Sequence, residues 1–346
     1  MSVSPRPPPR ELPEAQRHAL HRAERLCGWT LLWMSLVSVL MFLAMGGSQA
    51  MKTALIEDVL SLLPSVAFLV ASRFRRKGVD AEYITGRERA FDTNFLISAV
   101  ALTGVGLALV YEGLHTLFTA TRPVVGSVVI AGHVVWQGWI MMAALAVSAI
   151  PPVILGRKKL ALAKALSLKP LHTDADVGKA DWMTAAAGIV GVAGIGLGWW
   201  WADAVAALVI AGSILHDGAS NLRDAVRDLH DARPQKLDRS EPDPLPARLC
   251  REIAALPWME GCGVRVHEEG FHLSGIVLIG NRTLTAAQVE EVRAIAHALD
   301  WRFDQIDVSL SGGVPDRPVA EAASRADSAP TASPVATAQG PRRRTA

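Results

Sequence analysis

Residues 53–72 read TALIEDVLSLLPSVAFLVAS. As a helix this stretch is long enough to cross the hydrocarbon core of a bilayer, which takes about 20 mostly apolar residues. Yet it carries two adjacent acids, Glu57 and Asp58, and one proline, Pro64. Acids are costly inside a membrane span and mark a functional place by default. The stretch therefore sets both questions about this chain: how often it crosses a membrane, and what its buried acids hold.

Five further stretches meet the same length requirement, at about 27–47, 93–118, 134–155, 179–200 and 201–222. Half of the 346 residues are hydrophobic, and the mean hydropathy is +0.25, too apolar for a soluble globule of this length. Six spans are expected, the last two separated by a tight turn at Trp199, Trp200 and Trp201, whose rings suit a membrane interface. Basic residues precede the first span (Arg17, Arg22, Arg25), follow the second (Arg73, Arg75, Arg76, Lys77, Arg87, Arg89) and follow the fourth (Arg157, Lys158, Lys159, Lys164). The other loops hold little more than Lys52 and Arg122, so the positive-inside rule puts both termini in the cytosol of a multi-pass inner (plasma) membrane protein. The start of the chain has no small-residue cleavage site before its apolar stretch, so the first span is expected to be its own insertion signal.

The formal charge of +2 is nearly balanced, and the Lys and Arg residues sit in short clusters rather than on one basic face, which speaks against nucleic acid. Cys27, Cys250 and Cys262 have no CxxC spacing and suggest no disulfide framework. Beyond the spans, RPQKLDRSEPDPLP (233–246) reads as a charged, Pro-rich hinge. The expected domains are a disordered segment 1–25, a membrane domain 26–233, a hinge 234–246, a cytosolic module 247–311 and a disordered tail 312–346. In the module, 245–256 and 285–299 have helical spacing, while 263–268, 272–280 and 303–310 read as strands. The TAAQ at 285–288 resembles a capping box. This α-β-β-α-β order suits a small open sheet with its helices on one face, an α+β arrangement.

The chemistry is concentrated at two places. At 100° per residue Asp58, Ser61 and Ser65 share a helix face in the second span; Asp174 and Asp181, in HTDADVGKADW (172–182), share one in the fifth. Carboxylate and hydroxyl oxygens suit divalent cations, and a desolvated carboxylate can exchange a metal ion for protons. A solvated helix N-terminus, where acids favour the macrodipole, is the other reading of Asp174 and Asp176. Lys179 suits a local ion pair with Asp176, and Pro64 either a kink or a freed carbonyl. In the module His267 and His272 are the weak candidates for a regulatory metal, without a recognisable ligand spacing. The run of Gly188, Gly191, Gly194, Gly196 and Gly198 offers a small-residue face for close helix packing. No nucleophile-base pair or phosphate-binding loop supports an enzyme, and no organic cofactor is expected.

DAEYITGRERAF (80–91), YEGLHTLF (111–118), ADWMTAAAGIVGV (180–192), WWADAVAALVIAGSILHDGASNLRDAV (200–226) and LHDARP (229–234) together resemble the cation diffusion facilitator family of metal transporters. The resemblance runs from about Arg25 to Ser311. It implies a homodimer with paired, ferredoxin-like cytosolic domains that exports divalent metal from the cytosol in exchange for protons. The family's usual site takes two His or Asp residues from each of the second and fifth spans; the matching positions here are Ser61, Ser65, Val177 and Asp181. Only Asp181 keeps a ligand type, so the usual tetrahedral zinc site is not expected. A shifted, oxygen-rich site is expected instead, with Asp58 and Asp181 as first ligands and Glu57, Asp174 and Ser61 as further candidates. The alternatives are a membrane scaffold that kept the fold without transport, and a transporter of another small solute with Lys179 as charge partner.

Overall fold

The structure, a computed structural model, describes residues 12–78, 80–83 and 86–311, without the side chains of Ile130 and of residues 176–181. The expectations for residues 1–11, for Ile84 and Thr85, for the tail 312–346, and for the side chains of Asp176, Val177, Lys179 and Asp181 lie outside the described residues. Contacts divide the chain into two units. The first holds Met1–Pro244 with Val266–Gly275 and Ala296–Ile306; the second holds Leu245–Arg265, Ile276–Ile295 and the residues from Asp307 on.

In the first unit, α1 (Glu14–Ala44) begins well before the apolar run, so residues 14–25, expected to be disordered, form its opening turns. Its buried positions Ala23, Cys27, Thr30, Met34, Val37, Met41 and Ala44 recur at steps of four and three, one stripe of a helix that packs along its length. Trp29, Leu32, Trp33 and Leu36 point outward, as apolar side chains do where the solvent is lipid.

The second span is two helices in line, α2 (Gln49–Leu60) and α3 (Leu62–Arg75), interrupted at Ser61. Pro64 is the cause: it lacks an N–H and its ring crowds the carbonyl four residues back, at Leu60. α4 (Ala90–Phe118) follows. The stretch expected to open the fourth span at Val134 instead forms a hairpin, β1 (Ser127–Ile130) with β2 (His133–Trp136), paired antiparallel from Ser127↔Trp136 to Ile130↔His133. Its two-residue turn, Ala131 and Gly132, has positive φ at both positions, the geometry that matches the right-handed twist of a tight hairpin. The span proper is α5 (Gln137–Ser148) and α6 (Ile150–Leu166), broken at Ala149 ahead of Pro151 and Pro152. α7 (Lys169–Gly196) and α8 (Trp200–Leu229) meet at a short turn, where Gly198 takes φ +85°.

Among the described residues five segments are long and apolar enough to cross a membrane: Glu14–Ala44, Gln49–Arg75, Ala90–Phe118, Gln137–Leu166 and Trp200–Leu229. In α7 the apolar described stretch is the shorter Trp182–Gly196. Five spans therefore meet the criterion where six were expected. Between lipid-facing helices, close packing needs small residues because burial of apolar surface supplies little drive. A Cβ on Gly191 would stand 2.7 Å from the Cβ of Ala206, and one on Gly194 would stand 2.4 Å from that of Ala202, so these two glycines receive α8, while Gly188 meets Leu145 of α5 and Gly196 meets Trp136 of β2. α4 and α8 meet in the same way, through Gly106 against Leu215 and Gly218 against Thr103.

The 234–246 stretch is folded rather than a free hinge. Gln235 bridges to Pro242, and the Arg239 guanidinium reaches Asp228 at 2.7 Å and Asp224 at 3.4 Å. Beyond Pro244, α9 (Leu245–Ala254) and α10 (Ala286–Leu299) fall within two residues of expectation. So do the strands β3 (Cys262–Glu269), β4 (His272–Ile279) and β5 (Phe303–Leu310), which lie in the order β3-β4-β5. The capping box is present: the Thr285 amide donates to Gln288 Oε1 at 2.9 Å, and the Gln288 amide donates back to Thr285 Oγ1 at 3.4 Å. Leu249, Ile253, Val277, Ile279 and Val292 are among the buried apolar residues of the second unit. The cysteines are free thiols, with Cys250 and Cys262 Sγ 3.5 Å apart.

Candidate functional site

The break at Ser61 opens the second span toward α7. A narrow crevice of about 40 Å³ lies between the second span, α4, α7 and α8. Glu57, Ser61 and Pro64 line it from the second span, Thr173 and Asp174 from α7, Ser98 from α4, and Asp217 with Asn221 from α8. Glu57, Ser61 and Pro64 are four and three residues apart, one helix face that survives the interruption. Glu57 also ties α2 to α7 directly, its Oε1 accepting from Thr184 Oγ1 at 3.1 Å.

Of the expected ligands, Glu57, Ser61 and Asp174 come together on this crevice. Asp58 is partly buried but does not line it, and the Asp181 side chain lies outside the described residues. Ser65, expected to share a face with Asp58 and Ser61, turns away toward α6 and is fully buried. There it meets Lys159, whose Nζ donates to Ser65 Oγ at 3.0 Å and to Asp174 Oδ2 at 2.6 Å. The side chains of Lys159 and Asp174 are 5% and 9% exposed, which excludes the solvated helix end as the place of Asp174. Cys27 of α1 is fully buried.

Among the described residues no three His, Cys, Asp or Glu side chains are close enough to hold a metal ion together. His267 and His272 follow the same rule: His267 Nε2 lies 3.3 Å from Glu269 and 4.0 Å from Asp231, whereas His272 is buried between Phe271 and Trp301. Among the described residues neither ring nitrogen of His272 has a hydrogen-bond partner.

Three features went unread in the sequence. Asp217 and Asn221 sit in α8, and only the helix packing places them on the crevice with Glu57. Lys159 stands in a basic triplet that reads as a cytosolic flank. The signal that could have separated it is helical phase, since Pro152, Gly156, Lys159, Ala163 and Leu166 are the buried stripe of α6, while Arg157 and Lys158 are exposed.

At the other end of the bundle Asp203 of α8, 1% exposed, caps α2. It accepts from Ser48 Oγ at 2.5 Å, Gln49 N at 2.6 Å and Ala50 N at 3.3 Å. On the remaining side, Lys169 at the start of α7 pairs with Glu268 of β3. Burial raises the Glu268 carboxyl above its ordinary range, against the pull of Lys169.

Apolar helices broken at prolines, with carboxylates collected on a crevice between them, are the build of a polytopic membrane transport domain. The chain belongs to the cation efflux family: residues 29–230, more than half of its length, match the family model for the cation efflux transmembrane domain. It is thus a multi-pass protein of a family that moves metal cations, not a catalytic enzyme. Comparison with the curated proteins gives no match.

Proposed function

We propose that this protein exports divalent metal cations from the cytosol in exchange for protons, through an oxygen-rich path between the second span and α7. The reading takes α7 as the fifth of six spans, both termini as cytosolic, the plasma membrane as the location and a homodimer as the working unit. Its carrying observation is the crevice on which Glu57 and Ser61 of the second span face Asp174 of α7. Asp58 and Asp181 are assigned as the first ligands, with Glu57, Asp174 and Ser61 completing an oxygen shell together with water. Such a donor set favours harder divalent ions. A carboxylate that binds a cation in a poorly solvated place must lose its proton to do so, which couples the two flows.

The test is uptake into proteoliposomes under an imposed pH gradient, with a panel of divalent ions and the variants Asp58→Asn and Asp181→Asn. Gradient-driven uptake of at least one ion, lost in both variants while they remain folded, is the expected result. A second reading has its own support in the ion pair that already occupies Asp174: a membrane scaffold that no longer transports. Folded, dimeric protein that takes up none of the ions would sink the export reading and favour the scaffold.

A further inference from the structure

Lys159 is a charged residue in an apolar place. α6 buries it on the stripe that also carries Gly156, Ala163 and Leu166, and its side chain is 5% exposed. A buried ammonium is tolerated only with good partners, because its desolvation costs several kcal/mol. The partners here come from two other helices, Ser65 of α3 at 3.0 Å and Asp174 of α7 at 2.6 Å. Asp174 also lines the crevice, so one carboxylate serves two neighbours: open space on one side and a fixed ammonium on the other.

We propose that Lys159 is the specificity-determining residue of this site, a resident cation tethered to α6 that holds Asp174, so that a divalent ion can use Asp174 only by displacing the ammonium. The proposal rests on the reading of Asp174 as part of the cation path. Its physical content is competition. With Lys159 in place, Asp174 is neutralised at hydrogen-bond distance and contributes little attraction to an ion in the crevice. With Lys159 replaced by an apolar residue of similar length, the same carboxylate is left buried and unpaired, which is costly until another cation arrives. The ammonium therefore lowers affinity for the cargo and keeps Asp174 neutralised while no ion is bound, which raises the ion concentration at which Asp174 becomes occupied. It also sets a threshold of charge, since a monovalent ion gains no more from Asp174 than the ammonium it must replace.

The experiment uses the purified full chain in detergent and Mn²⁺ as the probe, followed by electron paramagnetic resonance and by thermal unfolding. Lys159→Met should bind Mn²⁺ about tenfold or more tightly than the wild type, because an unpaired buried carboxylate attracts a cation strongly. Its unfolding temperature should rise with added Mn²⁺, and adding Asp174→Asn to it should abolish both effects. Lys159→Arg keeps a cation in place and should stay within about threefold of the wild type. Should Lys159→Met not fold, Lys159→Gln, which can still hydrogen bond to both partners, makes the same comparison. Mn²⁺ binding by the neutral variants that is no tighter than that of the wild type, whether weak or absent in both, overturns the proposal. The comparison does not need transport: a wild type that carries no ion removes the export reading, while the binding ratio still decides the role of Lys159.

Discussion

Replacing Gly218 by Ala adds one methyl group to α8 at the place where that helix touches α4. The new Cβ would lie 2.7 Å from the amide nitrogen of Thr103 and 2.9 Å from both its Cα and its Oγ1. Two of those atoms are backbone and cannot turn aside, and Thr103 Oγ1 is itself held by the Ala99 carbonyl at 2.8 Å. The helices must separate locally, and overpacking of this kind costs about 1–3 kcal/mol. The same helix supplies its own control at Gly212, where a Cβ meets nothing within 4 Å. Gly212→Ala should be neutral or stabilising by up to about 1 kcal/mol through helix propensity alone. Two identical chemical changes six residues apart in one helix should thus differ by roughly 1–4 kcal/mol, with opposite signs at the upper end. Unfolding in mixed micelles by SDS titration, read through the tryptophans, measures the difference. Gly218→Ala as stable as the wild type would refute the close approach of α4 and α8. Asp217 is adjacent to Gly218 and lines the crevice, so the same variant should also reduce cation uptake wherever uptake is measurable.

Two further outcomes follow from buried polar groups. Asp203→Ala leaves the Ser48 hydroxyl and the amides of Gln49 and Ala50 without the acceptor they share, and should destabilise the chain by about 3 kcal/mol or more in the same titration, with Asp203→Asn recovering part of it. Its effect should greatly exceed that of Lys52→Ala, which removes a half-exposed pair with Glu112 of a kind worth about 1 kcal/mol or less. His267 gives a pH dependence: its hydrogen bond to Glu269, with Asp231 nearby, raises it above the ordinary 6.5, and the same bond lowers Glu269 below 4.5. The histidine's contribution is complete below pH 6.5 and is lost as the pH rises through its raised value; that of Glu269 is complete above pH 4.5 and is lost as the pH falls through its lowered value. Thermal unfolding of the wild type should weaken on the alkaline side relative to His267→Gln, and identical profiles for the two proteins on that side would remove the pair as a source of pH dependence.

The strands and helices beyond residue 244 were legible because each alternates or repeats against one buried side: β5 matches its expected bounds, Phe303–Leu310, and Thr285 and Gln288 form the box that their spacing suggests. The spans were legible as apolar lengths but only in part in their interruptions. Pro64 read as a kink or a freed carbonyl, and it does interrupt the helix, at Ser61; not legible was the placing of Glu57 and Ser61 on a crevice while Ser65 faces Lys159. The hairpin at Ser127–Trp136 was hidden by its own valines, which read as the opening of a span although Gly132 and β-branched neighbours marked a turn between strands. The candidate site was half legible. Glu57, Ser61 and Asp174 could be named from acids and hydroxyls in apolar context, but Asp217 and Asn221 matter only through helices packed against them, and for Lys159 the sequence carries no more than its helical phase.

The distribution of polar bonds within the first unit decides which movements are open to it. In lipid the helices are held by small-residue contacts and by buried polar pairs rather than by hydrophobic drive. The α7–α8 contact is of the first kind, with Gly191 and Gly194 against Ala206 and Ala202, and it resists sliding because a shift of one residue puts side chains where glycines were. The contacts of α7 with α2 and α6 include the second kind: Thr184 to Glu57, and Asp174 to Lys159. Each can be exchanged for a bond to water or to a cation without moving a backbone apart. Both partner spans are also broken by proline, at Ser61 and at Ala149, so their segments can tilt without breaking further intrahelical hydrogen bonds. A cation that competes for Asp174 or Glu57 therefore acts on the bonds that tie α7 to the two jointed spans, and α7 with α8 would move as one body against them.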